Sequence, residues 1–387
     1  MRAPRSGRKR ATKPSVANGD RTLKDSSVIQ FAPLDASTDR SSYVELAGGY
    51  EAVLQSPAFV LGSFPSTATR NYFGDHRIQP VGVYQIRDCA VSSDGLLIRD
   101  GAFLTSLQML ITEKIVHDCA RYGELTASRL PGRVIEEPVA LICGPGNVIW
   151  GHWLIDFLPK LYLLYRFGID IDRAKFLITT NTPKFALELL ELVGVQDHQL
   201  IRFDPYSETI LARNLIAPTA IRGGNTAHPL LAEAWRFLMS LIKARNEISE
   251  VPAENERIFL SRRGRNGRLM INREEIEAIA EQAGFLLICP EHFSVLEQIG
   301  IYRAARVIVG EYGSGLHNSI FAREGATVCG LRSNTLSPSF LQSGLCQVMR
   351  QKIGYVFGDV QGGEVSRHFT ISKDDFRLAL HLLTLLD

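Results

Sequence analysis

The sequence predicts an α/β protein of two domains built on largely parallel sheets. Three observations lead there. At 387 residues the chain exceeds what one hydrophobic core usually organises. From residue 138 onward, short apolar runs alternate with longer helical patterns. A polar break, NEISEVPAENE, interrupts them at Asn246–Glu256. Strands alternating with helices imply a parallel sheet covered on both faces. The expected divisions are a basic tail over 1–27, a first domain over 28–250 with an irregular β-rich start, and a second domain over 251–387.

The elements follow in order. The tail, MRAPRSGRKRATKPSVANGDRTLKDSS, is rich in Arg, Lys and Ser and lacks the apolar residues that order a chain. Strand-like, irregular sequence runs from Val28 to Val134, with turn residues at Ser93-Asp94-Gly95. PVALICG (Pro138 to Gly144) reads as a buried strand, and a long apolar segment covers Val148 to Phe167. A strand at Lys175–Thr180, a helix at Pro183–Leu192, a strand at Asn214–Pro218 and a helix at Pro229–Arg245 complete the first domain. The second alternates more cleanly. Strands are expected at Arg257–Arg262, Phe285–Cys289, Ala305–Gly310 and Ala326–Leu331. Helices are expected at Asn272–Gly284, from Ser294 to Arg303, and at Ser314–Arg323. Asn272 with Glu275, and Ser294 with Glu297, have the spacing of capping boxes.

Composition is that of a globular protein, with 45% hydrophobic and 22% charged residues. A net charge of +2 gives no global case for nucleic acid. No window approaches the ~20 apolar residues that cross a bilayer, and the basic start lacks the apolar run of a secretory signal. Cys89, Cys119, Cys143, Cys289, Cys329 and Cys346 are dispersed and form no CxxC pair, which suits free thiols in a reducing compartment. The expected location is therefore cytoplasmic. The basic tail suits either an inert role or peripheral contact with anionic lipid at the inner membrane, at about 1 kcal/mol per charge.

Three segments carry chemistry. In GEYGSGLHN, Gly313 and Gly315 allow positive φ and close backbone approach after a buried strand, and a helix start offers amides to a phosphate. Ser314, Leu316, His317 and Asn318 complete that turn. Glu311 would repel a diphosphate and is expected to face a ribose, sugar hydroxyl or cation. A glycine-assisted turn with no ligand fits equally well. In SRRGRNGR, Arg262, Arg263, Arg265 and Arg268 follow the first strand of the same domain, where arginine forks suit phosphate; a solvated basic loop is the plainer reading. In GHWLIDFLPK, His152 and Asp156 are four apart and share one helical face, with Lys160 next. A desolvated Asp is a candidate general base with a raised pKa, while Pro159 leaves helix capping by Asp156 and a structural His–Asp contact equally open. Asp170-Ile171-Asp172 precedes a strand, the wrong side for a metal-bound diphosphate, and no zinc spacing is present. The loop RGGNTA (Arg222 to Ala227) reads as the lead into a helix more readily than as the border of a cleft.

Together, GHWLIDFLPKL, IFLSRR with Asn272 after it, and ARVIVGEYGSGLHNSIF resemble glycosyltransferase family 61 over about Val139 to Leu331. Glu311-Tyr312 stands where many relatives carry Pro-His. The resemblance implies two Rossmann-like domains facing a cleft, the GT-B arrangement. It implies inverting, metal-independent transfer from a nucleotide diphosphate sugar to a glycan in surface polysaccharide synthesis, with no cofactor. Asp156, assisted by His152, takes the catalytic-base position. Arg262 and Gly313 to Asn318 take the donor diphosphate site, and the residue reading adds Arg263, Arg268 and Glu311 to it. The competing readings are a polysaccharide pyruvyl transferase and a non-catalytic glycan- or nucleotide-binding subunit. Donor sugar, acceptor and oligomeric state are not legible.

Overall fold

The computed structural model describes residues 29–36, 40–74, 76–120, 131–248, 256–262, 270–335, 339–361 and 368–386. The tail over 1–27, most of the expected linker, and Arg263, Arg265 and Arg268 lie outside the described residues.

The fold is mixed α/β around two large sheets. In the first, the strands Thr209–Pro218, Val139–Leu141, Phe176–Thr179 and Leu200–Phe203 lie side by side and parallel. Ala140 sits in register with Phe176 on one side and Ile216 on the other. The β-rich start extends this parallel half. Val81–Ser92 pairs antiparallel with Thr209–Pro218, and Leu96–Arg99, Ala102–Thr105 and Phe31–Pro33 continue outward.

The second sheet runs Leu286–Ile288, Arg257–Leu260, Val307–Glu311, Thr327–Ser333, Lys352–Gln361, all parallel, closed by antiparallel His368–Thr370. Numbered within this half, the parallel strands stand in the order 2-1-3-4-5. That order reverses between Arg257–Leu260 and Val307–Glu311, the switch point beyond whose carboxyl ends open α/β sheets bind their ligands. The strand Phe59–Gly62, from far up the chain, also joins this sheet, parallel to Gly354–Phe357. The segment 28–250 is therefore not confined to the first sheet.

Strand periodicity sorts the core. Phe176 and Ile178 of the first sheet, and Ile258, Leu260 and Ile308 of the second, enter one shared cluster. Their alternating neighbours Leu177, Phe259, Val307 and Val309 face outward into separate clusters. Helices Lys160–Arg166, Leu230–Arg245, Val295–Ala304 and Leu341–Val348 contribute Leu163, Trp235, Tyr302 and Leu345 to the shared core. The outer face of the second sheet is covered by helices Arg273–Gln282 and Lys373–Leu386, so that half is doubly wound. The outer cluster of the first sheet holds no helical residue among the described ones. Cover by helices on both faces, expected of the first half, is thus seen on one face only.

Two local expectations change and one holds. Asn272 does not cap its helix; its side chain clamps the backbone of Ile371 through both amide atoms, and Glu275 pairs with Lys373. The Ser294–Glu297 capping box is present. The segment after Gly313 is a 3-10 turn at Leu316–Phe321, not an α-helix from Ser314 to Arg323.

Candidate active site

Beyond the Val139–Leu141 strand the chain turns at Gly146 and enters a broken helix. Trp150–His152 is α-helical, Trp153–Phe157 is a π-turn, and α-helix resumes at Lys160–Arg166. Pro159 explains the break. It has no N–H to continue the ladder, so Leu158 N–H bonds Trp153 O one residue further back, and the Trp235 indole donates to the Leu154 carbonyl at 2.9 Å. Such π-turns frequently mark functional sites.

The turn keeps His152 and Asp156 on one face. His152 Nδ1 lies 2.6 Å from Asp156 Oδ2. The carboxylate is buried, with 6% exposure, and does not cap the helix. It accepts from Arg222 Nε at 2.6 Å and Arg222 Nη2 at 3.0 Å, a two-pronged fork. The raised pKa expected of a desolvated Asp156 is not what the site creates. Burial alone would raise it, but the Arg222 charge and the His152 hydrogen bond together hold it well below the ordinary carboxylate range. Lys160, the next residue on the stripe, is buried with its ammonium 5.4 Å from the Phe157 ring centre; burial lowers its pKa against the opposing influence of Cys143 and Asp156.

Arg222 is the residue that sequence reasoning passed over. It sits on a small hairpin, Arg222–Gly223 paired with Thr226–Ala227. The usable signal was the need of a buried carboxylate for a cation, combined with a lone Arg at a Gly-Gly turn.

The glycine turn packs directly on this helix. A Cβ on Gly151 would lie 2.5 Å from His317 Cδ2 and 3.1 Å from Ser314 Oγ, so only glycine fits there. Trp150 Nε1 donates to Asn318 Oδ1 at 2.6 Å, and Asn318 passes the bond on to Gln298 at 3.1 Å. The Asn318 side chain is thereby committed within the protein, and Leu316 is core. Neither side chain is free for a donor. His317 bonds Gln342 Oε1 through Nδ1 at 2.9 Å. Burial, and then the nearby Arg222 and His152 charges, outweigh that bond and Asp156 to pull its pKa down to about 4, so the ring is neutral at pH 7.

The positive φ expected at Gly313 and Gly315 is not there. The segment is instead wound by bonds from Leu316 N–H to Gly313 O and from His317 N–H to Ser314 O. A Cβ on Gly313 would meet Arg262 Nη1 at 3.2 Å, whereas Gly315 faces open space. The arginine and glycine segments do therefore converge, through Arg262. Arg262 has no hydrogen-bond or ion-pair partner among the described residues. Glu311, expected to face a ribose, sugar hydroxyl or cation, is buried: its Oε1 accepts from Arg273 Nε at 2.7 Å, and its Oε2 has no hydrogen-bond partner among the described residues. Asp170 and Asp172 lie on the surface in ion pairs with Arg173 and Arg245.

A search of curated proteins finds no match to the chain. Residues 150–329 match the family model described as Glycosyltransferase 61. The matched stretch opens on Trp150, at the helix that carries His152 and Asp156, and ends at Cys329, past the glycine turn, so it spans Arg222 and Arg262 as well. Over this stretch, a little under half of its length, the chain is similar to glycosyltransferase family 61, and the match supports a glycosyltransferase.

Proposed function

We propose that this chain transfers a sugar, with inversion and without a metal ion, from a nucleoside diphosphate sugar to a glycan acceptor in surface polysaccharide synthesis, at the cytoplasmic side. Its two halves then correspond to the Rossmann-like domains of a GT-B arrangement. The observation that supports this most is the packing of the glycine turn onto the residue before His152. It sets an anion site beside a proton acceptor. The donor diphosphate rests at Ser314 and Gly315, beyond the switch point of the second sheet, with Arg262 countering the charge of the leaving group.

Asp156 is a weak base here, because Arg222 and His152 already occupy its oxygens. The proton acceptor is instead His152. Its Nδ1–H donates to Asp156, which leaves Nε2 to take the proton of the acceptor hydroxyl. That oxygen attacks the anomeric carbon as the bond from this carbon to the diphosphate oxygen breaks, and the nucleoside diphosphate leaves with the electron pair. Asp156 holds the ring and stabilises the imidazolium that forms.

Calorimetry with UDP, GDP, CMP and phosphoenolpyruvate, with EDTA throughout, tests the donor class. Tight binding of one nucleoside diphosphate is expected; binding of none, or of phosphoenolpyruvate alone, removes the reading. With the matching nucleotide sugar, His152→Gln is expected to lower kcat by about 10²–10⁴-fold at unchanged nucleotide affinity. Undiminished turnover would take the proton-acceptor role from His152.

A further inference from the structure

Arg222 reaches the site from a hairpin that the second half of the molecule holds in place. The Asn225 side-chain oxygen accepts the Phe340 backbone N–H at 2.8 Å and lies 3.2 Å from Ser339 Oγ. Gly344 is packed so closely on this hairpin that a Cβ there would lie 2.3 Å from the Asn225 carbonyl oxygen. Ser339 in turn accepts, through its carbonyl, from Arg332 at 2.7 Å, and the Arg332 guanidinium lies 4.0 Å from the ring centre of Tyr312, next to the glycine turn. From this hairpin, itself part of the first half but braced by the second, Arg222 forks onto both oxygens of Asp156, at 2.6 and 3.0 Å.

We propose that Arg222 is a positioning residue for the transfer reaction: its fork locks Asp156 and thereby sets both the orientation and the proton affinity of the His152–Asp156 pair. The inference rests on the reading of His152 as proton acceptor. The physical reason is that one carboxylate serves two cations. A lone Asp⁻ beside an imidazole stabilises the imidazolium and makes the pair bind its proton tightly. A permanent guanidinium on the same carboxylate opposes that added charge, so the fork weakens the hold of the carboxylate on an imidazolium. The fork also prevents rotation of the carboxylate about its last bond, which holds Oδ2 against Nδ1. The other titratable groups facing the pair are Lys160 on its own helix, Cys143 beyond the central strand, and His317 on the glycine turn. None of them touches the carboxylate within hydrogen-bond distance among the described residues. Arg222 is therefore the group whose removal changes the pair most.

The test needs no substrate. The full chain, labelled with ¹³C in histidine and aspartate, is titrated by NMR between about pH 4.5 and 8.5 as wild type, Arg222→Gln and Arg222→Lys. Far-UV circular dichroism and thermal melts report folding. In Arg222→Gln the pair is expected to bind its proton at least tenfold more tightly, an upward midpoint shift of about one unit. Arg222→Lys keeps the charge but not the fork and is expected to give a smaller shift in the same direction. UDP and GDP affinity should stay unchanged. An unmoved midpoint in folded Arg222→Gln overturns the proposal, and so does an unmoved midpoint in Arg222→Lys if the Gln variant does not fold. Lost nucleotide affinity with an unmoved midpoint also overturns it and moves Arg222 to the donor site. Failure of the transfer reading is separable: no nucleotide sugar would be turned over, while the shift in proton affinity would still be seen.

Discussion

Burial and pairing oppose each other at Asp156, Lys160 and His317. At Asp156 pairing wins, and the carboxylate stays ionised; at Lys160 and His317 burial wins, and the charged form is disfavoured. The His317 shift has a consequence for stability, and its sign follows from linkage. The pKa falls from 6.5 to about 4 in the folded protein, so as pH drops the unfolded chain takes up this proton first. The contribution is complete above pH 6.5 and is lost as pH falls from there through about 4. His317→Gln should flatten that part of the stability profile. Urea unfolding at pH 7.5, 6 and 5 would show it; a variant that loses stability across this range as steeply as wild type would contradict the assignment.

Two elements hold the chemistry in place. The first is the π-turn, which exists because Pro159 lacks an N–H and Trp235 takes up the Leu154 carbonyl. Pro159→Ala supplies the missing donor and lets the helix relax toward regular α geometry. Stability should be unchanged or slightly higher, whereas turnover should fall at least tenfold, because the His152–Asp156 face rotates. A melting temperature and kcat measured on the same preparation check both halves of that statement. The second is the contact of the glycine turn with Gly151. A methyl group there meets the His317 ring at 2.5 Å, so Gly151→Ala should destabilise by about 1–3 kcal/mol, the usual cost of overpacking. It should also weaken binding of the nucleoside diphosphate by pushing the turn outward, which calorimetry would detect.

For the whole molecule the governing fact is that one core serves both sheets. Ile258, Leu260 and Tyr355 of the second half share it with Phe176, Trp153 and Trp235 of the first. The strand Phe59–Gly62 completes the second sheet. A fragment starting at residue 251 would lose that strand and expose the inner apolar face of the sheet. It is expected to be insoluble or to lack a cooperative melt, while the full chain unfolds in one transition. A soluble fragment with a sharp transition of its own would show that the halves are independent.

What could be read in advance tracks distance along the chain. Most strands and helices between Val139 and Leu331 were legible, strand Leu200–Phe203 excepted, because apolar periodicity, caps and turn residues act among neighbours. Four-residue spacing likewise put His152 and Asp156 together, even with a π-turn between them. The family likeness rests on the same contiguous segments. The glycine turn was readable as a turn but not as a 3-10 turn, since packing against Gly151, not its own residues, sets its shape. Helix Leu341–Val348 and strand Lys352–Gln361 were not anticipated. Only the tertiary structure paired Asp156 with Arg222, 66 residues away, and Glu311 with Arg273. It also turned Asp156 from a desolvated acid into a firmly ionised carboxylate. The sequence by itself determined most of the alternating elements up to Leu331, the His–Asp pair and the family likeness. The fold decided which cation meets which carboxylate, and therefore where the proton goes, because proton affinity depends on charges brought near by chain closure and not by order along the chain.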